Sequence, residues 1–194
     1  MTSAGTVDHP RADKLRQVAY ATHSSRFEEA LQYWQDAFGV GPFFLLDLTL
    51  ENQKYLGSPT AVDLRLALSY LGDTEIEIVS QTNDAPGPFE AFLHGDPQDL
   101  PRGGGIHHVF YESVSYEASK AALIASGCID AFNAVAPGGR RMCYLDGTST
   151  FGHLVELVEQ DDAVTSARTE MHRVCSGWTG RRPLRAYGEL LTRA

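Results

Sequence analysis

The spacing of apolar positions switches along the chain between the two-residue period of strands and the longer period of helices, and this alternation predicts its elements. Residues 17–22 (QVAYAT) form a short apolar run between polar neighbours, which predicts a buried strand. Ser24 and Ser25 offer N-caps, and Phe27, Ala30, Leu31, Trp34 and Phe38 then recur on one helical face, with Glu28, Glu29, Gln32 and Gln35 outward. Gly39, Gly41 and Pro42 end that helix. Strands are predicted over 43–50, 64–71 and 74–81, the last two joined by a tight Gly72-Asp73 turn. The order is β-α-β-β-β.

A connector rich in proline and glycine follows, with one helical turn predicted over 88–94 and Phe89 and Phe92 inward. The same order then begins again. A strand is predicted over 106–113, then a helix over 115–126 with Ala118, Ala121, Ala122 and Ala125 on one face and Gly127 at its end. Strands over 129–136, 140–145 and 152–159 complete the second set, with Pro137-Gly138-Gly139 and a DGTS segment as turns. A polar helix over 162–178 and a basic tail with Arg181, Arg182 and Arg185 close the chain. The fold class expected is therefore α+β: two tandem βαβββ modules forming a half-open barrel, plus a C-terminal helix and tail. The divisions are a leader over 1–14, modules over 15–82 and 104–160 joined by the connector 83–103, and a tail over 161–194.

Polar residues on strands that should be apolar mark the candidate chemistry. In TEIEIVSQ, Ile76 and Ile78 suit the helix layer, which turns Glu75 and Glu77 toward the cavity. In GHLVELVE, Glu156 shares its face with Leu154 and Val158, where a carboxylate needs a partner. The stretch GGGIHHVFYE carries adjacent histidines, and strand alternation assigns His108 to the cavity with Phe110 and His107 to the helix layer. Gln17 lies with Ala19 and Ala21, small residues that leave room in front of the sheet. The repeat matches these positions in pairs, Gln17 with His108 and Glu77 with Glu156. One imidazole, one amide oxygen and two carboxylates make a mixed N/O set suited to a divalent ion with open positions, such as Zn, Ni, Co, Mn or Fe. The bland alternatives are exposed strand ends for Gln17 and Glu75, and salt bridges with arginines for Glu77 (Arg65) and Glu156.

Composition narrows the field. Hydrophobic residues make up 43% and charged residues 21%, as in ordinary globular chains. The net charge of −9 argues against a nucleic-acid or anionic-membrane surface. No apolar run is long enough to span a bilayer and no signal peptide is evident, so a cytoplasmic protein is expected. Cys128, Cys143 and Cys175 form no CxxC pair and read as free thiols. For the arginine tail, a packed or solvated surface stands beside a clamp on an anionic substrate or a contact with a second chain. Phe43, Phe44, Phe89, Phe92 and Trp178 suggest an aromatic entrance for a medium-sized, partly apolar substrate.

The stretches VAYATHSSRFEEALQYWQDAFGVGPFF, GDTEIEIVSQ, GGGIHHVFYES and YLDGTSTFGHLVELVE resemble the vicinal-oxygen-chelate superfamily, the glyoxalase and bleomycin-resistance fold, over most of residues 15–160. The His-His strand is similar to that of the methylmalonyl-CoA epimerase group. The resemblance implies metal ligands at Glu77, His108 and Glu156, with Gln17 where the epimerase pattern has histidine; glyoxalase I enzymes resemble the chain there. It implies an enzyme that transfers a proton on an oxygen-chelating substrate through an enolate, by epimerisation, isomerisation or lyase chemistry, with Glu156 and Glu77 as catalytic carboxylates. The alternatives are a small-molecule-binding protein of the same fold that does no chemistry, and a ring-opening or dioxygenase variant. By base rate and by resemblance, a homodimer is expected.

Overall fold

The structure is a computed structural model that describes residues 14–94 and 96–191. The expected leader lies outside them except for Lys14. An eleven-stranded sheet organises the chain. Its first half comprises β1 (Lys14–Ala21), α1 (Phe27–Phe38), β2 (Phe43–Thr49), a hairpin of β3 (Glu51–Tyr55) and β4 (Ser58–Pro59), β5 (Asp63–Leu71) and β6 (Thr74–Gln81). A connector with α2 (Glu90–Leu93) leads to β7 (Gly105–Ser113), α3 (Tyr116–Ala125), β8 (Ile129–Ala136), β9 (Arg140–Asp146), α4 (Thr148–Phe151) and β10 (Leu154–Glu159). The chain continues through α5 (Asp162–Ser176), β11 (Leu184–Ala186) and α6 (Gly188–Leu191).

The strand order is β11-β2-β5-β6-β1-β7-β10-β9-β8-β3-β4. Leaving out the hairpin and β11, each half repeats one arrangement, and the halves join where β1 runs antiparallel to β7. Only Leu50 separates β2, near one edge, from β3, which pairs with β8 near the other. Two residues of chain span at most about 7 Å, so the sheet must curl until these distant strands nearly meet. The hairpin was not anticipated. Its turn places Leu56 at φ 47° and Gly57 at φ 81°, and leucine at a left-handed position carries no turn signature.

Apolar alternation divides the core between the two faces of the curl. On the outside, Phe27, Ala30, Leu31 and Trp34 of α1 pack on Ala67, Ile76 and Ile78. Gly39, at φ 67°, ends α1 with its N–H turned back to the carbonyls of Trp34 and Gln35. Phe38, expected on the buried face, is 55% exposed, although its ring meets Trp34. Outside the second half, Tyr116 packs with Cys128, Cys143, Leu145, Val155 and Leu157. The alanine face expected to bury α3 is instead largely solvent-facing, with Ala118, Ala121 and Ala125 exposed. Tyr116 and Ser119 are its buried positions: the Tyr116 ring fills the helix–sheet gap, and the Ser119 hydroxyl shares a 2.8 Å hydrogen bond with that of Ser113. Inside the curl, Leu64, Leu66, Val79, Phe89, Phe110, Phe132, Met142, Tyr144 and Val158 form one apolar cluster. α5 adds a further layer through Ala167 and Met171, which meet Phe44 and Leu68.

Candidate functional site

β1, β6, β7 and β10 are consecutive neighbours across the join, and they bring Gln17, Glu77, His108 and Glu156 together. Their register has internal two-fold symmetry. Gln17 pairs with Phe110 and His108 with Ala19 across β1 and β7; Glu77 lies opposite Ala19 and Glu156 opposite Phe110 on the outer strands. Exchanging the halves maps Gln17 onto His108 and Glu77 onto Glu156. The same operation maps Glu75 onto Leu154, and the Arg168 ion pair described below takes Glu75 out of the cluster.

The glycine run before β7 fixes where this strand enters. Gly104 has φ 84°, and a Cβ there would stand 3.0 Å from the Ala21 carbonyl oxygen. Trp34 of α1 donates from Nε1 to the Gly103 carbonyl at 2.8 Å, tying the run to the helix layer. The pairing of β7 with β1 then shifts register between Ala19 and Tyr20. This shift overturns the assignment of His107 to the helix layer. Its ring stacks on Phe89 at 4.3 Å, meets Phe92 and Tyr144, and brings Nδ1 within 2.8 Å of His108 Nδ1. An irregularity of this kind breaks strict alternation and re-aims side chains.

His108 is fully buried, Gln17 and Glu77 nearly so, and the Glu156 side chain is 12% exposed. His108 Nε2 lies 2.9 Å from a Glu156 oxygen and 3.8 Å from a Glu77 oxygen. Despite that proximity, it makes no hydrogen bond of proper geometry with any described residue. The Gln17 amide nitrogen donates to the other Glu77 oxygen in a very short contact. Burial pushes Glu77 up to about 7, with the nearby Glu156 charge adding to the effect and His108 opposing it. Burial works to lower His108, but the two carboxylates outweigh it and hold its pKa above the ordinary value. Burial drives His107 down to about 3, so it stays neutral. Tyr144, whose ring lies 4.9 Å from His108, is held well above its usual range by burial and by both carboxylates.

These atoms provide a test of the expected metal centre. Donor atoms sharing one first-row ion at right angles stand about 3 Å apart, and the separations around His108 Nε2 bracket that value. A buried imidazole nitrogen without a hydrogen bond, facing two carboxylates, fits a cation. Yet among the described residues no three His, Cys, Asp or Glu side chains stand ready as a metal cage. The fourth donor, the Gln17 amide, completes the expected set, and its side chain would have to turn its oxygen inward to serve.

Other expectations resolve differently. Arg65 pairs with Asp47, so Glu77 does not use it. Glu75 is no exposed strand end: it is fully buried, accepting from Arg168 Nε and the Tyr70 hydroxyl. Arg168 also approaches Glu112 at 3.6 Å and covers the Phe110 ring at 4.4 Å. α5 thus lies over the interior face beside the four residues, a role its polar sequence did not announce. The proposed aromatic entrance does not form as such, since Phe43, Phe44 and Phe89 are packed in the core. In the tail, Arg182 pairs with Glu189, Arg185 lies near the Phe44 ring, and the Arg181 carbonyl accepts from Trp178. A surface cleft of about 250 Å³ is lined by Phe27, Leu31, Asp47, Arg65 and Leu184, and by none of the four clustered residues.

A family model described as the Glyoxalase/Bleomycin resistance protein/Dioxygenase superfamily matches residues 16–144. No curated protein matches the chain. Among solved structures, methylmalonyl-CoA epimerase from Mycobacterium tuberculosis is 18% identical, covers 78% of this chain and 90% of its own, and superposes with a TM-score of 0.47. A Streptomyces coelicolor methylmalonyl-CoA epimerase variant in complex with 2-nitronate-propionyl-CoA is 15% identical over 76% of this chain and 94% of its own, TM-score 0.47. A hypothetical protein from Bacillus halodurans C-125 is 20% identical over 76% and 94%, TM-score 0.48.

Proposed function

The chain belongs to the Glyoxalase/Bleomycin resistance protein/Dioxygenase superfamily, and from that premise we propose that it is a divalent-metal-dependent enzyme. Its reaction would move a proton on a carbon beside an oxygen-chelating group, as an epimerase, isomerase or lyase of small molecules. The observation that carries this reading is the buried His108 Nε2, which faces Glu156 and Glu77 and has no well-aligned hydrogen-bond partner among the described residues.

Gln17, Glu77, His108 and Glu156 would hold the ion. Bound there, it supplies Lewis-acid stabilisation of the negative charge that develops on a substrate oxygen. Glu156 is the most accessible of the four and carries the proton, taking it from carbon and returning it to the same or a neighbouring carbon. Glu77 comes from the opposite half and stands across His108 from Glu156, so the two carboxylates address opposite faces of a planar substrate anion. The apolar cluster around Phe110 and Tyr144 keeps water from that anion. A reading as a small-molecule-binding protein without chemistry draws on the lack of a ready three-ligand cage among the described residues.

Metal analysis of protein purified without added metal, followed by incubation of β-dicarbonyl and α-hydroxyketone compounds in D₂O with Mn²⁺, Co²⁺, Ni²⁺ or Zn²⁺, separates the two. The enzyme reading expects bound metal that His108→Ala loses, and deuterium at carbon that Glu156→Gln abolishes while metal is retained. Ligand binding that survives His108→Ala unchanged, with no metal found, would leave only the binding protein.

A further inference from the structure

We infer that His107 is a positioning residue that holds the proton of His108 on Nδ1 and so reserves Nε2 for the cluster; in assigning that nitrogen a ligand's task, this rests on the metal reading above. Two hydrogen bonds, each with one possible direction, fix the place of the proton. His107 Nε2 lies 2.8 Å from the Pro88 carbonyl oxygen, which can only accept, so this nitrogen carries a proton. His107 is 4% exposed, its ring stacked on Phe89 and edged by Phe92, and among the described residues no carboxylate pairs with it. A second proton on it would place an uncompensated charge in an apolar pocket. Its Nδ1 is therefore bare and can only accept. The atom 2.8 Å away is His108 Nδ1, which must be the donor.

The chain of bonds thus runs from His108 Nδ1–H to His107, and from His107 Nε2–H to Pro88. It leaves Nε2 as the one nitrogen of His108 that faces Glu77 and Glu156. Because His108 Nδ1 donates in both the neutral and the charged ring, the arrangement does not depend on whether His108 is protonated. A carbonyl or carboxylate usually accepts the outer N–H of a ligating histidine; here a neutral histidine does so, made possible by the register shift that puts adjacent rings in contact. The proton is held by an acceptor that is itself uncharged, so the ring is oriented without an added negative charge.

Nitrogen NMR of the metal-free protein labelled at histidine reads this directly. The expected spectrum has a bare His107 Nδ1, protonated His107 Nε2 and His108 Nδ1, and a scalar coupling between the two Nδ1 atoms across the bond. A proton on His107 Nδ1, or on His108 Nε2 with Nδ1 bare, would overturn the inference. His107→Phe keeps the stacking volume but removes the acceptor, and is expected to weaken Co²⁺ binding by about 10–100-fold. His107→Asn, which can present an oxygen near the same point, is expected to recover much of that loss. If His107→Phe fails to fold, the wild-type spectrum still decides. Wild-type protein that shows the coupling but takes up no Co²⁺ would defeat the metal reading and leave the His107 assignment standing, whereas Co²⁺ binding without the coupling defeats the assignment alone.

Discussion

Ala19 has no functional group, yet it sets the space in which the polar residues meet. It is fully buried on β1, with Glu77 opposite on one side and His108 on the other. A longer side chain there would push between the imidazole and the carboxylate. Ala19→Leu is expected to cost about 1–3 kcal/mol in stability through overpacking, and to abolish metal uptake even in the folded fraction. Urea unfolding and a Co²⁺ titration measure the two effects, and retention of full uptake would show that Ala19 does not border the site. The four clustered residues were legible because each puts a polar group on a strand face that should be apolar. The orientation of His107 was not legible. Strand alternation is a local rule, and the register shift that breaks it arises from how β7 meets β1, which no residue type announces.

At the scale of elements, α5 is attached through a charge that the interior would not otherwise accept. Glu75 is fully buried, and burial raises its pKa against the opposing pull of Arg168 and the Tyr70 hydroxyl. Removing one member of such a pair leaves the other stranded. Arg168→Met is accordingly expected to lower stability by about 3–5 kcal/mol, with Glu75→Gln in the same background recovering part of the loss. Chemical denaturation of the single and double variants checks it; equal losses in both would mean that packing of α5, not the ion pair, holds the helix. The sequence pointed Glu75 inward but supplied no partner, since the arginine lies 93 positions away in a helix that reads as polar. The helix α1 was legible from five apolar positions, whereas the burial of α3 was misread because alanine suits either a packed or an exposed helical face. The β3–β4 hairpin was illegible for a different reason: Leu56 occupies a backbone conformation usually left to glycine or asparagine.

The whole molecule repeats one supersecondary unit, and that repetition made the fold readable without shared residue identity. Buried weak acids also lie outside the cluster. Burial pushes the Cys143 thiol up to about 11 and raises the Tyr116 hydroxyl, which the neighbouring Cys143 lifts further. Above pH 9 the unfolded chain releases these protons while the folded chain keeps them, so folding binds more protons and stability must fall as pH rises. Each such group contributes a slope of up to about 1.4 kcal/mol per pH unit between its unfolded and folded pKa values. The urea midpoint is therefore expected to be lower at pH 10.5 than at pH 8, and to drop less in Cys143→Ala. A midpoint that held steady or rose would contradict the placement of these groups. No helix among the described residues is long and apolar enough to cross a membrane.

The single-residue passage at Leu50 constrains how the interior can be reached. Because β2 continues at once into a strand hydrogen-bonded to β8, the two halves are latched at their far margins as well as along their seam. They cannot swing apart like the covers of a book without first unzipping β3 from β8. If Glu156 serves the proposed reaction, its substrate would have to reach it through the wall of the curl, with the frame itself left shut.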